Sequence, residues 1–163
     1  IVIMNSPSTL LPVAPATSLQ GCTNLKLRQL TRRISRQFDH ELTQAGLKTT
    51  QYSLLSHIVK LGPIRPGDLA QVMDMDASTL TRNLKPLLSA GWAQLDAGAD
   101  GRSRLVTVTP AGRAKRQDAQ RHWKAAQTAL NARLGMPRML ALHALIDEAL
   151  VLLAEPTVGD CDE

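Results

Sequence analysis

The apolar positions of this chain fall into helical stripes for most of its length and switch to alternation only once. From Thr23 to Ala45, Leu27, Leu30, Ile34, Phe38 and Leu42 recur at helical spacing, which predicts a long amphipathic helix ended by Gly46. Thr49 is placed to cap a second helix with Tyr52, Leu55, Ile58 and Val59 inward, closed by Gly62-Pro63. Pro66 opens a short helix whose apolar side is Leu69, Ala70, Val72 and Met73. Asp74-Met75-Asp76 reads as a tight turn, with Asp76 as the N-cap of a helix striped by Ala77, Leu80, Leu84, Leu87 and Leu88. Trp92 to Leu95 and Leu105 to Thr109 then read as short strands around a loop marked by Gly98 and Gly101. Thr109-Pro110 opens a long helix to Leu134, with Trp123, Ala126, Leu130 and Leu134 inward. Gly135 stops it, and Pro137 starts a last helix, Met139 to Ala154.

Two short helices around a tight turn, followed by a hairpin, make a winged helix-turn-helix. The predicted fold is therefore mostly α with a small β-wing: a winged helix-turn-helix domain plus a helical dimerisation domain. Its second short helix leaves Ser78, Thr79, Thr81, Arg82 and Lys85 outward: hydroxyls and two cations with no carboxylate. A solvated face usually mixes signs, whereas this one suits phosphates and base edges. The hairpin adds Arg102 and Arg104 beside Asp100.

The string DGRSRLVTVTPAG resembles the wing of MarR-family transcriptional regulators, with Asp100, Arg102, Val108, Thr109 and Gly112 at the patterned positions. STLTRNLKPLLSAGW resembles that family's recognition helix, through Thr81-Arg82 and the closing Gly91. The likeness runs from about Cys22 to Ala154 in element order. It implies a wing Arg102 inserted into a minor groove, with Asp100 holding a wing arginine by a salt bridge. Arg82 is the candidate for a base edge and equally for a phosphate clamp. Many members carry an acid where this chain has Lys85, and Pro86 follows it. A proline inside a helix costs about 3 kcal/mol unless compensated, so a kink is expected there.

Charge agrees with a polyanionic partner. The formal net charge is +5, but residues 82 to 124 hold nine cations against three acids. The tail carries Glu155, Asp160, Asp162 and Glu163 with no cation. A domain division follows: a flexible arm over 1–21, a dimerisation region over 22–48 and 110–154, a DNA-binding region over 49–109 and an acidic tail over 155–163. The last helix is apolar nearly all round, through Leu140, Leu142, Leu145, Ile146, Leu150, Val151, Leu152 and Leu153. Such a helix needs cover on every side, which a second copy supplies. A homodimer on a pseudo-palindromic double-stranded DNA operator is expected.

No nucleophile elbow, HExxH or phosphate loop occurs, so catalysis is not expected, nor a cofactor or metal site: neither the cysteines nor the histidines have ligand spacing. No apolar run reaches spanning length, and sparse cysteine use fits the cytoplasm. For regulation, the resemblance implies a small organic effector such as a phenolic or heteroaromatic carboxylate, with Arg32, Tyr52 and His57 as crevice candidates. Cys22, near a helix start, is a candidate redox sensor. A winged helix serving only to dock another protein is the alternative of a different class.

Overall fold

The computed structural model describes residues 20–98 and 103–154. Most of the arm, the acidic tail with Cys161, and the wing-tip residues Asp100, Gly101 and Arg102 lie outside the described residues. The chain runs α1 Thr23–Leu42, a 3-10 turn Thr43–Ala45, α2 Thr49–Leu61, α3 Pro66–Val72, α4 Ala77–Ser89, β1 Ala93–Ala97, β2 Arg104–Val108, α5 Pro110–Leu134 and α6 Met136–Leu152. β1 and β2 are antiparallel, pairing Ala93 with Val108 and Ala97 with Arg104. Ile64, before α3, adds one rung: its N–H donates to the Val106 carbonyl at 3.2 Å, and the Val106 N–H returns the bond at 2.8 Å. Each strand is displaced from its expected span by a residue or two, toward the loop.

Two apolar clusters organise the chain. In one, Leu55 and Ile58 of α2, Leu69 of α3, and Leu80 and Leu87 of α4 close over Val106 of β2. In the other, Phe38 and Leu42 of α1, Tyr52 of α2 and Ala126 and Leu130 of α5 pack together with Met139. Trp92 touches both clusters, and the Lys115 ammonium sits 5.1 Å from its ring centre. The helix-turn-helix is thus joined to the long helices through this indole and through α2, which contributes side chains to both clusters.

Helix ends follow local chemistry, with corrections. Gly46 takes φ 65°, the left-handed turn that ends the 3-10 segment. Thr49 does not cap α2; it is the first helical residue. Its N–H and hydroxyl both donate to Asp39 Oδ1 of α1, at 2.7 and 2.6 Å, so an acid from the neighbouring helix caps α2. Val72, expected inward, is 57% exposed, because a helix as short as α3 has too few turns to bury more than Leu69 and Ala70. Ala77 is likewise exposed, at the open first position of α4. Pro86 does not break α4, which continues to Ser89 with Leu87 fully buried. The backbone bond lost there falls between Arg82 and Pro86, both on the exposed side of the helix. α6 begins three residues earlier than expected, and Met139 is its one buried residue.

Candidate nucleic-acid interface

The start of α4 is fixed by one carboxylate. Asp76 accepts from the Thr79 N–H at 2.7 Å, from the Thr79 hydroxyl at 2.7 Å and from the Ser78 hydroxyl at 2.6 Å. The Ser78 hydroxyl bond, then those to Thr79, hold its carboxyl far below the usual carboxylate range, so it stays ionised. Thr79 Oγ1 in turn accepts from Arg82 Nη2 at 3.2 Å, which ties the guanidinium to the cap. The Thr81 hydroxyl donates to the Ala77 carbonyl at 2.8 Å. Leu80, Leu84 and Leu87 are buried behind this face, while Ser78, Thr81, Arg82 and Lys85 are exposed and Thr79 is half-buried.

This geometry alters the chemistry read from residue types. Ser78, Thr79 and Thr81 are candidates to bond phosphates or bases; in the folded chain their hydroxyls donate to the Asp76 carboxylate and to the Ala77 carbonyl. Arg82 and Lys85 are the groups of this face left with outward donors.

The wing is stiffened by a network the sequence did not announce. Asp96 of β1 accepts from the Thr107 hydroxyl across the sheet and from Gln94 Nε2 at 3.0 Å. Those bonds, the Thr107 hydroxyl first, hold its carboxyl below the ordinary value. Arg104, the first residue of β2, is exposed at the loop end of the hairpin, and the Gly98 N–H donates to the Ser103 carbonyl at 2.8 Å. Asp100 and Arg102 fall outside the described residues. At the other end the Thr109 hydroxyl accepts from the Gly112 N–H at 3.0 Å and donates to the Gly91 carbonyl at 2.6 Å, joining the start of α5 to the segment that follows α4.

The MarR family model matches residues 45–103, which span α2 to the wing. A DNA complex of the Mycobacterium tuberculosis transcriptional regulator MosR shares 30% identity and a TM-score of 0.65, covering 79% of this chain and 98% of that one. The chain belongs to the MarR family. This MarR-family chain is also 31% identical over 84 residues to the HTH-type transcriptional regulator YwoH of Bacillus subtilis, covering 52% of this chain and 61% of that one. It is 36% identical over 80 residues to the multiple antibiotic resistance protein MarR of Salmonella typhimurium, covering 48% and 56%. The aligned stretches thus span 61% and 56% of those two relatives. Members of the family are transcriptional regulators, not enzymes.

The effector candidates of this MarR-family chain do not converge. Tyr52 is in the core, its ring 6.2 Å from that of Trp123, which also meets Phe38 at 6.3 Å. His57 is half-buried, with Nδ1 2.8 Å from the carbonyl of Ser53 on its own helix. Arg32 is exposed on α1. Cys22 is the exposed N-cap of α1, about 24 Å along the helix from Phe38 at 1.5 Å per residue. A groove of about 610 Å³ lies between α1 and α5, walled by Leu30, Ile34, Leu130 and Leu134 and rimmed by Arg33, Arg36 and Arg133. Among the described residues none of these three arginines meets a carboxylate. No described helix is long and apolar enough to cross a membrane.

Proposed function

We propose that this chain is a dimeric, cytoplasmic DNA-binding regulator that represses from an inverted-repeat operator and is released by a small anionic effector. The observation that carries the reading is the exposed side of α4. It has no acid, holds Arg82 and Lys85 outward, and continues into a hairpin bearing Arg104 and, in sequence, Arg102. In this reading α4 enters a major groove and the wing follows the backbone into the adjacent minor groove, whose narrow parts attract arginine. Asp100 would hold a wing arginine. The DNA complex of MosR supports the reading by kinship.

Dimerisation is supported by α6, which leaves Leu145, Leu150 and Val151 65%, 62% and 76% exposed. Contiguous apolar surface on that scale marks an interface. Two copies joined through α1, α5 and α6 would present their recognition helices at a fixed separation. The arginine-rimmed groove between α1 and α5 suits an organic carboxylate: apolar walls for its body and guanidinium groups for its charge. An effector bound there acts only if it favours a dimer whose recognition helices are wrongly spaced.

Selection of sequences from a random duplex library by the full chain tests the proposal. The expected motif is an inverted repeat with half-sites centred about 10 bp apart. A pool that stays random after repeated rounds would reject it.

A further inference from the structure

The three hydroxyls on the outward side of α4 have no proton left to give. Ser78 Oγ and Thr79 Oγ1 lie 2.6 and 2.7 Å from the Asp76 carboxylate, and Thr81 Oγ1 lies 2.8 Å from the Ala77 carbonyl. Ionised carboxylates and carbonyls only accept, so the proton of each bond belongs to the hydroxyl. Thr79 Oγ1 also accepts from Arg82 Nη2, which occupies one of its lone pairs. Ser78 is exposed, and no described group donates to its oxygen. The side chains of the first turn of α4 therefore show acceptors outward, and side-chain donors begin only at Arg82.

We propose that Ser78, held by Asp76, is a specificity-determining residue that accepts a hydrogen bond from the exocyclic amino group of adenine or cytosine in the major groove. The proposal rests on the reading of α4 as the helix that enters that groove. Phosphate oxygens, guanine O6 and N7, thymine O4 and adenine N7 are all acceptors, and a serine with its proton spent sets lone pair against lone pair at each of them. Adenine N6 and cytosine N4 are the major-groove donors. The first-turn position is where a recognition helix meets base edges. Arg82, one turn on, carries donors only and suits the neighbouring acceptors. The competing outcome is a hydroxyl that swings away from Asp76 on binding and donates instead.

The test uses the full chain and synthetic duplexes. Selection with Ser78→Ala, an exposed position whose change leaves Thr79 still holding Asp76, identifies the base pair whose preference is lost, and a cooperative thermal melt checks that the variant folds. At that pair, purine in place of adenine or pyrimidin-2-one in place of cytosine removes the amino group, and a 7-deaza purine removes N7. Loss of the amino group should weaken the parent about three- to tenfold, as one neutral hydrogen bond does, and leave Ser78→Ala unmoved. Loss of N7 should leave the parent unchanged. The reverse pattern would show Ser78 donating and overturn the proposal, as would a Ser78→Ala motif identical to the parent's. If the parent itself selects no motif, the DNA reading fails first; if it selects one that Ser78→Ala keeps, only this inference fails.

Discussion

The carbonyl oxygen of Trp92 occupies the space in which a side chain on residue 112 would begin: a Cβ placed on Gly112 would lie 1.9 Å from it. The same carbonyl accepts from the Thr109 N–H at 3.1 Å, so the start of α5 is pressed onto the segment between α4 and β1. Backbone cannot yield as a flexible side chain does. Gly112→Ala should therefore cost about 3 kcal/mol, the upper range for overpacking, read as a lowered midpoint in urea denaturation. A midpoint equal to the parent's would mean that the junction is looser than described.

Asp96 links stability to pH. Its carboxyl is held below the ordinary value of 3.8 by the Thr107 hydroxyl and the Gln94 amide. The unfolded chain takes up its proton first as pH falls, so this contribution is full above the ordinary value and is lost as pH drops through the lowered one. Asp76 behaves in the same sense. Denaturation of the parent should become easier as pH falls below about 4, and Asp96→Asn should show a shallower decline over the same window. Equal slopes in the two proteins would remove Asp96 from the linkage.

Much of this fold was legible because its signals are local. The stripe from Leu27 to Leu42 fixed α1, and Asp76 lies beside the N–H groups it caps. The Thr109-Pro110 pair marked the start of α5 at the residue observed. What escaped depends on contacts between distant segments or on proton direction. Asp39 caps α2 from another helix, and nothing in the residues around Thr49 announces it. The groove rimmed by Arg33, Arg36 and Arg133 exists only because α5 lies beside α1. Serine and threonine are donors and acceptors alike by residue type. Only the distances to Asp76 and Ala77 decide which role remains.

In the proposed dimer the exposed side of α6 is the contact surface. Leu145 and Leu150 together replaced by Glu should convert the chain to a monomer by sedimentation velocity, since charges opposed across an apolar contact are costly to bury. Both side chains are largely exposed within one copy, so the helical content should persist. A dimer that survives both replacements would place the interface elsewhere.

Wing contacts with phosphate have a salt signature. Arg102→Ala should weaken binding to any duplex and reduce the slope of log affinity against log salt by about one. Unchanged affinity and slope would take the wing out of the interface. Arg82→Ala should instead relax preference at one base position in each half-site.

In the proposed dimer two recognition helices stand a fixed distance apart. The most direct measurement compares affinity for the selected inverted repeat with affinity for the same duplex carrying 5 bp more between its halves. That insertion turns one half-site by about half a helical turn, to the opposite side of the DNA. The account predicts that affinity falls to the level of random duplex. Equal affinity for the two spacings would contradict it.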